Sequence, residues 1–221
     1  MHLYERDGKK YPSVTTIVHS LGSDDITRWS NFLGFKHIKL QTELDKTASF
    51  GTLVHSHLQH IVDPSCGDEL VEPKNSIEKY DLDKVIRLFN EYFDNFEYTT
   101  LFTERFILSE ELGYAGTMDW VANVNGKIML NDFKTAKAPY VSMMFQLGGY
   151  YNLLQSIGQD VDLASIITIN TSGCKMHPIH KEDLIFYAEV FNSLAKFYIA
   201  TELYSNPKPK IDYDILTILQ R

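Results

Sequence analysis

Apolar residues recur at helical spacing through the first half of the chain, and from about residue 100 they alternate or run together as in strands. Residues 2–11 flank Asp7-Gly8, a favoured tight-turn dipeptide, and predict a short hairpin leading into a Tyr11-Pro12-Ser13-Val14-Thr15-Thr16 loop. Ser23-Asp24-Asp25 offers an N-cap for a helix carrying Trp29, Phe32 and Leu33. Leu53, Leu58, Ile61 and Val62 mark a second helix, which Pro64 and Gly67 end. A polar stretch from Asp63 to Asn75 predicts a flexible loop, and a third helix over about 76–96 would bury Ile77, Val85, Leu88, Tyr92 and Phe96. Three segments of strand character follow: Leu101 to Leu108, Tyr114 to Val124 and Lys127 to Thr135. Pro139 then opens a helix to about Ile157, Ala164 to Asn170 predicts another strand, and Lys181 to Tyr204 a last helix. This order predicts one α/β domain: a hairpin and helical N-terminal elaboration over 1–97, a core over 98–205 and a tail over 206–221.

The densest chemistry lies between Gly116 and Lys134. Asn125-Gly126 is a strong hairpin signal, because both central residues of a type I′ turn take positive φ. A two-residue turn without a bulge sets Val124 against Lys127 and, by the same register, Asp119 directly against Asp132. The period of two puts Lys134 on the face of Asp132, so two carboxylates and an ammonium converge. Opposed β-carbons lie about 4.5–5.5 Å apart, and like charges there are destabilising unless neutralised. A divalent cation is the natural neutraliser, since carboxylate oxygens are hard ligands suited to magnesium or manganese.

Other polar residues are read against that patch. His55 and His57 point to opposite sides of their helix, and only His57 and His60 share one, so the cluster is not a zinc site; His55 alone could complete a carboxylate site. Gln146 and Tyr150 lie four apart on one helix face, beside Gly148 and Gly149, which allow close backbone approach. That pair could orient the lysine or touch a substrate phosphate. Glu104, on the preceding strand, could reach the cation or remain solvated.

Composition narrows the field. A formal charge of −8 excludes a chain that grips nucleic acid by overall charge, so any such site must be local. Two cysteines, Cys66 and Cys174, are too few for an iron–sulfur cluster or a disulfide scaffold, and a reducing cytoplasm fits best. Charges at the N-terminus argue against a signal peptide, and no apolar run approaches the ~18 residues of a membrane span.

Taken together, Gly116-Thr117-Met118-Asp119, Asp132-Phe133-Lys134-Thr135, Gln146 with Tyr150, and Gly51 to His55 resemble the PD-(D/E)XK nuclease superfamily, in its RecB-like exonuclease branch. The segment Tyr11 to Ile17, followed by Trp29, is similar to mitochondrial genome-maintenance and phage members of that branch. Met118 replaces the proline that usually precedes the first catalytic aspartate. The resemblance implies a central mixed β-sheet flanked by helices, with a restriction-endonuclease-like core. It implies Mg²⁺ or Mn²⁺ held by His55, Asp119, Asp132 and the backbone carbonyl of Phe133, and no iron–sulfur cluster. Asp119, Asp132 and Lys134 would be catalytic, the lysine positioning or helping to deprotonate the attacking water. Gln146, Tyr150, Glu104, Ser13, Thr15 and Trp29 would support them or contact substrate. The expected activity is metal-dependent DNA exonuclease action in replication, recombination or repair, on DNA with a free end or a single strand and alongside proteins of those processes. The other outcomes are a structure-specific endonuclease and a catalytically silent DNA-binding subunit. Lys9, Lys10, Arg28, Lys36, Lys39, Lys134 and Lys137 form a candidate basic track, with Tyr11, Trp29 and Tyr140 for base stacking.

Overall fold

A computed structural model of the chain describes residues 3–21 and 39–203, so the expected helix with Trp29, Phe32 and Leu33, together with Arg28 and Lys36, lies outside the described residues. The first hairpin forms as expected: β1 (Leu3–Arg6) pairs with β2 (Lys9–Pro12) around Asp7 and Gly8, both at positive φ. Ser13 then caps the short α1 (Val14–His19), its hydroxyl accepting from the Thr16 N–H at 3.0 Å.

Two longer helices follow, α2 (Leu40–Val62) and α3 (Ser76–Phe93). Asn75 caps α3 by accepting from the Ile77 and Glu78 N–H groups. The buried stripe of α3 is Leu82, Val85, Phe89 and Phe93, and of the expected residues only Val85 belongs to it: Ile77 is 72% exposed, and Leu88, Tyr92 and Phe96 are only half-buried. The expected stripe is rotated from the real one because apolar residues occupy more than one side of this helix. The 63–75 loop is tied back to α2, with Gln59 donating to Asp68 at 2.6 Å and Ser56 accepting from the Val71 N–H at 3.0 Å.

The sheet has the order β3-β4-β5-β6-β7, built from β3 (Tyr98–Ser109), β4 (Tyr114–Val124), β5 (Lys127–Lys134), β6 (Leu163–Asn170) and β7 (Gly173–His180). Only β5 and β6 run parallel, joined by α4 (Val141–Ser156). The sequence pattern does not predict β7, because Pro178 interrupts a run that lacks clean alternation; proline is tolerated on an edge strand. The last helix, α5 (Lys181–Tyr198), continues into a π-helical turn, Ile199–Leu203.

Apolar cores lie on both faces of the sheet. One contains Val14, Ile17, Met118, Val121, Leu130, Leu147, Leu184 and Phe191, from α1, α4, α5 and the sheet. The other contains Leu53, Leu58, Val85, Phe89, Trp120, Phe133 and Ile167, so α2 and α3 form one wall of the fold and not an appendage to it. Trp120 and Phe133 stack across that core with ring centroids 5.9 Å apart. Gly148 lets α4 and α5 touch backbone to backbone, since a β-carbon there would stand 2.5 Å from the Tyr187 carbonyl. Among the described residues, no helix is long and apolar enough to cross a membrane.

Candidate metal centre

The hairpin of β4 and β5 forms in the expected register, from Val124 opposite Lys127 to Trp120 opposite Asn131, with Asn125 and Gly126 both at positive φ. One residue further the expectation fails: Asp119 and Asp132 do not pair. Strand β4 stays with β3, pairing Met118 with Arg105, while β5 stays with β6 as far as Lys134 opposite Thr168. The two strands therefore part. Asp119 fills the gap with its side chain, Oδ2 accepting the Phe133 N–H at 2.8 Å. The alternation of β4 also breaks here. Met118 faces the core under α4, whereas Trp120, two residues on, faces the core under α2.

Helix α2 brings His55 to this gap, with Nδ1 3.5 Å from Asp119 Oδ2 and the ring edge-on to Phe133 at 6.0 Å. His57 and His60 turn elsewhere, to the carbonyls of Val71 and Ser56. Opposite Asp119 on β3, Glu104 completes a group of three. One ligand atom each from His55, Glu104 and Asp119 lies within 4.8 Å of the others.

Asp132 stands beside that group rather than in it. It is 1% exposed, its Oδ2 lies 2.5 Å from Lys134 Nζ, and its Oδ1 has no hydrogen-bond partner. Burial pushes the Asp132 carboxyl up against the opposing pull of Lys134. For Lys134 burial works downward, but Asp132 and Asp119 outweigh it and the ammonium is raised. Glu104 is exposed as a residue, yet the packing around its carboxyl, with Asp119, Asp68 and Asp132, pushes it up to about 7. Asp68 belongs to the loop tied to α2, and nothing in its polar sequence context signals this proximity.

Gln146 and Tyr150 form the expected pair, the Tyr150 hydroxyl accepting from Gln146 Nε2 at 2.7 Å. The same hydroxyl shares a hydrogen bond with Thr15, and the tyrosine is 4% exposed, which makes it a prop within the fold. Gly116 leaves room for that ring; a β-carbon there would stand 2.8 Å from it. Tyr150→Phe is expected to lower stability by about 1 kcal/mol, the net worth of a buried hydrogen-bonded hydroxyl, in urea unfolding. An unchanged midpoint would deny it that role.

Ser13 is likewise tied down as a cap and is 7% exposed. Tyr11, expected as a stacking platform, is 5% exposed and belongs to the core, because β2 lays it against the sheet. Tyr140 is 48% exposed, and Lys9, Lys10, Lys39 and Lys137 are exposed. Trp29 lies outside the described residues.

The donor set fits magnesium or manganese: carboxylate oxygens dominate, one imidazole joins them, and a buried carboxylate oxygen lacks a donor. No family model matches the chain, and no curated protein matches it. The chain is similar to the solved structure described as "Crystal structure of SSO0001", at 15% sequence identity over 88% of this chain and 79% of that one, with a TM-score of 0.40. At that score the likeness carries no argument.

Proposed function

We propose that the protein is a metal-dependent DNA exonuclease of the PD-(D/E)XK superfamily, RecB-like branch, acting by phosphodiester hydrolysis and favouring single-stranded DNA. The observation that carries this reading is the gap between β4 and β5, where Asp119, Asp132, Lys134 and His55 meet. His55, Asp119, Asp132 and the Phe133 carbonyl would hold Mg²⁺ or Mn²⁺. When bound, the cation supplies Lewis acidity, polarising a phosphoryl oxygen and acidifying water.

The chain's own groups do the rest. The Phe133 N–H fixes the Asp119 carboxylate through Oδ2, the oxygen that also lies beside His55 Nδ1. Lys134, held by Asp132, brings a positive charge to the phosphate as negative charge develops on it, an interaction that is strongest when preorganised and shielded from water. The Thr15–Tyr150–Gln146 chain braces the helix that follows the lysine. Lys9, Lys10 and Lys137 offer local phosphate contacts in an otherwise acidic chain, and exposed Tyr140 offers a stacking surface.

The test is digestion of end-labelled linear and closed circular DNA, single- and double-stranded, with magnesium, manganese or chelator. Metal-dependent loss of linear DNA alone, fastest for single strands, is the expected result. Cutting of closed circles would replace the reading with an endonuclease. Binding without cutting of any substrate would replace it with a silent DNA-binding subunit.

A further inference from the structure

Among the described strand residues, Glu104 is the non-glycine residue with a positive φ. Its φ is +44°, in the left-handed region that residues other than glycine rarely adopt. The ladder pairs Thr103 with Trp120 and Arg105 with Met118, which sets Glu104 opposite Asp119 on the rung between them. Two like charges thus face each other where the backbone is already strained.

The charged side chains that press on Glu104 are Asp119, Asp68 and Asp132, all carboxylates. The Glu104 carboxylate, the His55 ring and the Asp119 carboxylate nevertheless converge within 4.8 Å. Ligands about 2.1 Å from one octahedral cation lie about 3–4 Å apart, so only a small contraction is needed.

A second observation comes from the neighbouring strand. Asp132 is 1% exposed, its carboxylate is near enough to His55 and Asp119 to feel their charges, and Oδ1 has no partner. Burial of an unsatisfied carboxylate oxygen is costly, and a cation between the strands satisfies it together with Glu104.

We infer that Glu104 is a direct carboxylate ligand of the divalent cation, so that the cation is held from three sides by α2, β3 and the parted β4 and β5. This rests on the metal-dependent reading above and deepens it. The resulting sphere of one imidazole, three carboxylates and the Phe133 carbonyl suits Mn²⁺ better than Mg²⁺, because the imidazole favours the softer ion.

The test is Mn²⁺ titration of the metal-free full chain by calorimetry, with thermal unfolding in chelator. Wild type is compared with Glu104→Gln and with Glu104→Asn, whose backbone tolerates positive φ, and Glu189→Gln serves as the control. Each Glu104 variant is expected to bind Mn²⁺ at least tenfold more weakly, yet to melt at a higher temperature than wild type in chelator. Those shifts have opposite signs, which a merely structural glutamate would not produce. Mn²⁺ affinity within twofold of wild type in a folded Glu104 variant overturns this inference alone. A folded wild type that binds no Mn²⁺ overturns the metal reading itself.

Discussion

Lys134→Ala is expected to lower DNA cleavage roughly 10³-fold, the size of loss seen when one preorganised electrostatic partner of a transition state is removed, while Mn²⁺ binding is retained or tightened. The two effects separate because Lys134 is not a ligand. Its ammonium lies 2.5 Å from Asp132 Oδ2, where it competes with a cation for the same carboxylate. Removing it leaves Asp132 more negative toward the metal and leaves the phosphate without its nearest fixed positive charge. Single-turnover cleavage at saturating Mn²⁺, with the metal affinity measured on the same preparation, tests both halves. Cleavage within tenfold of wild type would remove Lys134 from the mechanism. Loss of metal binding in a folded variant would assign it to assembling the site.

Gly148→Ala is expected to cost about 3 kcal/mol of stability, the upper end for an overpacked core, even though alanine favours a helix by about 1 kcal/mol over glycine. The added β-carbon would stand 2.5 Å from the Tyr187 carbonyl carbon and oxygen and 2.7 Å from the Ala188 nitrogen. Those are backbone atoms of α5, so the helices must part. At roughly 2–4 °C per kcal/mol for a domain of this size, the melting temperature should fall by about 6–12 °C. Gly67→Ala is the control, since a β-carbon there meets nothing within 4 Å. A Gly148→Ala midpoint within 1 °C of wild type would mean the helix pair gives freely. The Gln146–Tyr150 hydrogen bond, which spans Gly148 on the same helix, should be disturbed as well.

Short-range signals in the sequence account for much of the architecture. Asp7-Gly8 and Asn125-Gly126 set their hairpins because positive φ is a local property of those residues, and at the second the ladder follows the expected register from Val124 opposite Lys127 as far as Trp120 opposite Asn131. The strand character from Tyr114 to Val124 and the continuous apolar run of β6 announced sheet positions, and the i, i+4 spacing of Gln146 and Tyr150 predicted a contact that forms at 2.7 Å. The shared face of Asp132 and Lys134 followed from the period of a strand alone.

Where a residue's environment depends on which strand its neighbours follow, the sequence was silent or misleading. Simple register extrapolation set Asp119 against Asp132. The competition between β3 and β6 for the two arms of the hairpin decided otherwise, pulling the arms apart and turning the Asp119 carboxylate onto the Phe133 N–H. For Glu104 the sequence left open whether it reaches the cation or stays solvated, since neither its positive φ nor its place opposite Asp119 is written in local composition. Strand β7 escaped because Pro178 forbids an interior strand but not an edge. Tyr11 was read by its chemistry and buried by its neighbours. The sequence by itself determined the turns, the periodicities and the residue types that bind a hard cation, because those are properties of one stretch of chain. Only the tertiary structure decided which of those residues meet, because ligand convergence depends on long-range pairing between elements that the local pattern does not encode.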